Sequence, residues 1–117
     1  MKKLCKIRDI CQAISEFENE FIAVHGISLN EGMVLCTLKD QRLSSGEIAK
    51  KINLTCSNTS KLIRSVEDNG HIERDLGEED RRQMYFTLTK KGVDKLIEIE
   101  EDKIELNGPL ATIGQNI

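Results

Sequence analysis

No stretch of this 117-residue sequence stays apolar for the ~18 residues that a membrane-spanning helix needs. The opening "MKKLCKIRDICQ" has two lysines but no continuous apolar segment, so no secretory leader is expected and the expected location is the cytoplasm. The four cysteines, Cys5, Cys11, Cys36 and Cys56, form no C-x-x-C, and neither His25 nor His71 stands at metal-ligand spacing from them. A structural zinc motif is therefore lacking, and neither a metal nor a cofactor is expected. Cys11, Cys36 and Cys56 fall on apolar faces and are expected as reduced, small core residues. There is no Ser/His/Asp or Cys/His arrangement of the kind a nucleophilic enzyme needs, so no enzyme is expected. There are no repeats and no low-complexity segment.

The composition is that of one soluble globular domain, 32% charged and 38% hydrophobic. A net charge of −3 argues against a generally basic nucleic-acid binder. The distribution matters more than the total. Residues 50–91 carry nine basic and seven acidic groups, and residues 92–117 carry two basic and six acidic. The middle third is the only net-positive segment, and local patches decide whether a phosphate backbone can dock.

Leu4, Ile7, Cys11 and Ile14 recur at helical spacing, and Ile10, Phe17, Phe21 and Val24 continue the stripe. The spacing predicts one amphipathic helix over residues 3–24 whose broad apolar face suits a core or an oligomer interface. Ser28 and Glu31 make an S-x-x-E box for a second helix ending near Lys39–Gln41. Ser44 and Glu47 make another, for a short helix with Ile48, Ala49 and Ile52 inward. Thr55 is the expected N-cap of a helix over 56–69, which "NG" stops. From His71 the period becomes two. Ile72 and Leu76 alternate with charges, "GEED" turns, and Met84, Phe86 and Leu88 share one face of a return strand. Thr89 caps a last helix, expected to run over 90–106 and to end at Gly108–Pro109.

This order is a helix-turn-helix with a hairpin appended, a winged helix. The fold class is mainly α with a small β-hairpin wing and long N- and C-terminal helices. In the fourth helix Cys56, Thr59, Leu62, Ile63 and Val66 face inward. Ser57, Asn58, Ser60, Lys61 and Arg64 face away. Small polar groups at a helix N-terminus followed by two cations suit the major groove, although a solvated helix face is polar too. In "DRRQMYFTLTKKG" two arginines stand at a hairpin tip. Asp80 can hold Arg82 in one pose for the minor groove, with Arg81 on phosphate; the bland alternative is a surface ion pair.

From about Ile27 to Lys95 the sequence resembles the MarR family of winged-helix transcriptional regulators. The resemblance lies in Gly70, Ile72, Glu73–Arg74, Glu78–Glu79, Asp80–Arg82, the alternating strand Met84–Leu88, and Leu88–Thr89 with Gly92. It implies a homodimer on double-stranded DNA at a pseudo-palindromic operator, most simply as a repressor. Recognition helices would enter major grooves and wings the flanking minor grooves. It implies Arg82 as the minor-groove arginine, oriented by Asp80, with Arg81 and Arg74 as further contacts. Ser57, Asn58, Ser60, Lys61 and Arg64 would make the major-groove and backbone contacts. It divides the single domain into a DNA-binding lobe, 27–89, and dimerisation elements, 1–26 and 90–117. Relatives usually continue into a further C-terminal helix. The sequence ends at Ile117, so the dimer is expected to rest on the first helix and on 90–106, with a small contribution from the tail.

Some members of the family sense oxidants through a cysteine near the start of the first helix. Cys5, beside Lys2, Lys3 and Lys6, is the candidate here, since positive charge favours the thiolate. The peroxide-sensing branch places tyrosines near that cysteine; the only tyrosine here is Tyr85, in the wing. Other members bind small aromatic effectors, so release by a small molecule is the parallel expectation. The alternative to DNA binding is a protein-interaction module of the same fold. Neutralising Lys61, Arg64 and Arg82 without loss of activity would favour it.

Overall fold

The computed structural model describes residues 2–54, 56–76 and 84–111. They fall into two compact units, one of residues 1–29 and 102–117 and the other of 30–101.

The first unit is built on α1, Lys2–His25. Gly26 ends it in the left-handed region (φ +72), its N–H bonded to the Ile22 carbonyl at 2.8 Å. A helix of this length stops where the backbone turns left-handed, and glycine does so without a Cβ penalty. Phe21 and His25 are buried, their rings 4.7 Å apart. Asp102 accepts from the Nε2 side of His25 at 2.6 Å, and a 3-10 turn, Gly108–Leu110, packs on α1 with Leu110 buried. Phe17 is half-buried, and the remaining large apolar residues of α1 are uncovered: Leu4, Ile7, Ile10, Ile14, Ile22 and Val24 are all exposed.

The second unit carries α2 (Leu29–Thr37), β1 (Leu43–Ser44), α3 (Ser45–Ile52), α4 (Cys56–Asp68), β2 (Ile72–Leu76), β3 (Met84–Leu88) and α5 (Lys90–Glu100). Its core is Val34, Leu35, Leu38, Leu43, Ile48, Ala49, Ile63, Val66, Ile72, Phe86 and Leu96. The sheet is antiparallel in the order β1-β3-β2. The hairpin register sets Ile72 opposite Leu88 and Arg74 opposite Phe86. Asp75 and Tyr85 form a pair on the other face.

Three expectations are corrected. The hairpin has a third strand, β1, which pairs Leu43 with Phe86 and Ser44 with Tyr85. The last helix ends at Glu100 rather than near residue 106. Asp102 takes the Ile104 N–H at 3.1 Å, a local bond that competes with helix continuation. The carboxylates of Glu98, Glu100 and Glu101 also oppose the negative end of the helix. Finally, Cys11 and Cys36 are exposed, because the helix faces they occupy are uncovered. Cys5 is exposed as well. Thr55, the expected cap of α4, lies outside the described residues, as do Asp80, Arg81 and Arg82.

The joint between α4 and the sheet is closely packed. Gly70 turns left-handed (φ +80), and the Thr89 hydroxyl donates to its carbonyl at 2.6 Å. The same hydroxyl accepts the Gly92 N–H and so caps α5. His71 is buried here. Burial holds its pKa below the ordinary 6.5; the cations Lys91 and Lys95 add to this, and Glu31 and Glu98 oppose it. Unfolded chain then binds a proton that folded chain refuses. Stability is complete above the unfolded value and falls as pH drops through 6.5 toward the lowered folded value. Urea unfolding at steps between pH 7.5 and 5.5 is expected to show this decline. His71→Gln should flatten it; a profile that this substitution leaves unchanged would assign the decline elsewhere.

Candidate nucleic-acid interface

The candidate interface is assembled from α3, α4 and the hairpin. Ser44 opens α3 as N-cap in a reciprocal capping box. Its N–H donates to the Glu47 carboxylate at 3.0 Å and its hydroxyl accepts the Glu47 N–H at 3.2 Å. Those bonds to Ser44 hold the Glu47 carboxyl below its ordinary range. Asn53 ends α3 in the left-handed region (φ 57), its N–H on the Ala49 carbonyl. Asparagine tolerates that conformation, which lets α4 leave α3 through a tight turn.

α4 turns Thr59, Ile63 and Val66 inward and Asn58, Ser60, Lys61 and Arg64 outward, all four exposed. Ser57 lies in its first turn, which contains no acidic residue. Nothing in that turn opposes a phosphate at the positive helix end. Glu31 of α2 accepts from Ser65 at 2.8 Å and from Asn69 at 3.0 Å, holding the far end of α4. Lys50 and Lys51 close the last turn of α3.

Arg74, expected among the DNA contacts, is half-exposed on β2. Its guanidinium grips Glu67 of α4 through two bonds, 2.7 and 3.0 Å, and lies 5.9 Å from the Phe86 ring centre. Bonding to Glu67 raises its pKa, so it stays charged. In this position it braces β2 against α4. Arg42 escaped the sequence reading. It bonds Asp75 at 2.9 Å and stacks 4.3 Å above the Tyr85 ring. No periodicity marks it, because it precedes a strand of only two residues.

Beside β3 and α5 lies a cavity of about 680 Å³, lined by Leu38, Leu88, Val93, Leu96 and Ile97. Lys39 and Glu100, 3.0 Å apart, border it. Their bond raises the Lys39 pKa. Among the described residues no three His, Cys, Asp or Glu side chains converge to hold a metal. Among the same residues no helix is long and apolar enough to cross a membrane.

A capped helix, a left-handed turn, a helix with a polar outward face and a three-stranded antiparallel sheet together define a winged helix-turn-helix lobe. The chain belongs to the MarR family, whose pattern its residues 27–84 match. It is 33% identical over 78 residues to the HTH-type transcriptional regulator PrsX of Escherichia coli, covering 64% of this chain and 47% of that one. It is 30% identical over 91 residues to the HTH-type transcriptional repressor YetL of Bacillus subtilis, covering 75% and 54%. The chain thus spans about half the length of the curated relatives it matches. The fold is that of S. aureus MepR in its DNA complex, with a TM-score of 0.65, 23% identity, and coverage of 80% of this chain and 78% of that one.

Proposed function

We propose that the chain is a sequence-specific DNA-binding transcriptional regulator of the cytoplasm, not an enzyme. In this reading a homodimer represses from a pseudo-palindromic operator and is released by a small ligand or an oxidant. The observation that carries the reading is the exposed face of α4. Asn58, Ser60, Lys61 and Arg64 line one side of a helix whose other side is buried in a helix-turn-helix. The relatives PrsX, a regulator, and YetL, a repressor, support the regulatory role. The uncovered stripe on α1 supports dimerisation. The cavity beside α5 supports a small effector, and the exposed Cys5 supports an oxidant. Residues 27–89 would then bind DNA, and 1–26 with 90–117 would form the dimer.

The test is a fluorescence-anisotropy titration of the duplex upstream of the protein's own gene against a scrambled duplex. Salt is varied over ~50–200 mM, across which log K should fall linearly with log salt. Arg82→Ala should weaken selective binding by ~1–3 kcal/mol. An unchanged affinity would remove Asp80–Arg82 from the interface. No binding to either duplex at low salt would favour a protein-interaction module instead.

A further inference from the structure

The two faces of the hairpin are held by different arginines. On the core face, Arg74 of β2 reaches Glu67 of α4. On the other face, Asp75 and Tyr85 stand opposite each other on β2 and β3, and Arg42 covers both. Arg42 is well anchored for this. The next residue, Leu43, is buried and paired with Phe86, and the one after, Ser44, is the cap of α3. Among the described residues strand β1 pairs only with β3. The ion pair from Arg42 to Asp75 is therefore a direct tie from the start of α3, across β3, to the far strand β2.

We propose that Arg42, with Asp75 and Tyr85, is a positioning brace that sets the angle of the β2–β3 hairpin relative to α3 and α4. This inference rests on the DNA-binding reading, in which helix and hairpin must engage one duplex together. The competing view makes Arg42 a phosphate contact. The geometry disfavours that view: the guanidinium is capped by the Tyr85 ring and neutralised by a carboxylate 2.9 Å away. An exposed ion pair alone holds little, but a guanidinium stacked on an aromatic ring holds more. The tie restrains an angle rather than the fold.

The two views predict opposite signs. A brace loses affinity when either partner goes, whatever the charge change. Arg42→Ala, Asp75→Asn and the charge-conserving double variant should each bind the upstream duplex about three- to tenfold more weakly. The double variant should lose no more than the single ones. The slope of log K against log salt should stay that of the wild type. A phosphate contact would instead make Asp75→Asn bind more tightly, and Arg42→Ala would lower the slope by about one. Either result would overturn the brace, as would wild-type affinity in the double variant.

A second readout needs no DNA. Amide hydrogen exchange in β2 and β3 should quicken in the double variant, while α3 and α4 keep wild-type rates. Unchanged exchange in β2 and β3 would overturn the proposal. Should the wild-type chain bind no duplex, the regulator reading falls, and the exchange rates alone decide whether the brace exists.

Discussion

Gly92→Ala is expected to destabilise the protein by about 3 kcal/mol, a loss rare for a change of one methyl group. Glycine in a helix is ordinarily inferior to alanine by ~1 kcal/mol, so propensity alone predicts a gain. Packing reverses the sign. A Cβ on Gly92 would sit 1.9 Å from the His71 carbonyl oxygen and 2.9 Å from its carbon. Those are backbone atoms that cannot rotate away. The same carbonyl accepts the Thr89 N–H at 3.0 Å, and Thr89 caps α5 and bonds the Gly70 carbonyl. Moving α5 outward to admit a methyl would therefore break the joint between α4, the sheet and α5. Gly46→Ala in α3 is the control, since the nearest atom to a new Cβ there is the Ser44 Oγ at 4.0 Å. Thermal unfolding should show Gly92→Ala melting about 15 °C lower, while Gly46→Ala melts no lower than wild type. Equal melting of the two variants would refute the close approach.

That glycine also shows how the sequence could be read. The pattern Leu88–Thr89 with Gly92 was legible as a family feature, and the structure supplies its cause. The capping box of Ser44 and Glu47 was legible because its chemistry spans three neighbouring residues. The faces of α4 and the alternation of β3 were legible because one side of each is buried, and burial imposes a period. What stayed hidden lacked either locality or length. β1 has two residues, too few for a period, and one of them already served as a helix cap. Arg42, Asp75 and Tyr85 lie in three separate segments that only the sheet brings together. For Arg74 the sequence shows the charge but not the Glu67 partner. At the early end of α5 an Asp102 side chain takes the Ile104 N–H, a choice that no periodicity announces.

The stripe on α1 was legible as apolar but not as exposed, since core and interface share one pattern. Ile14→Glu is expected to decide its role. Ile14 is 42% exposed, within a run that includes Leu4, Ile7 and Ile10, each at least 38% exposed. Single exposed apolar residues are ordinary, but a contiguous run along a helix marks a contact surface. If a second copy covers it, each protomer buries one Ile14. The substitution then forfeits about 4 kcal/mol of burial over the two copies, and it also desolvates two carboxylates. Dimerisation should weaken by a factor of about a thousand or more. Sedimentation equilibrium should find monomer where wild type is dimer. Helix content should be retained, because Ile14 contributes little to the core of its own chain and glutamate is a good helix former. DNA affinity should fall in parallel, since a monomer offers one recognition helix where a pseudo-palindromic operator asks for two. A variant that stays dimeric with wild-type melting would move the dimer contact off this stripe, and the exposed Val93 and Ile97 of α5 would be the next surface to charge.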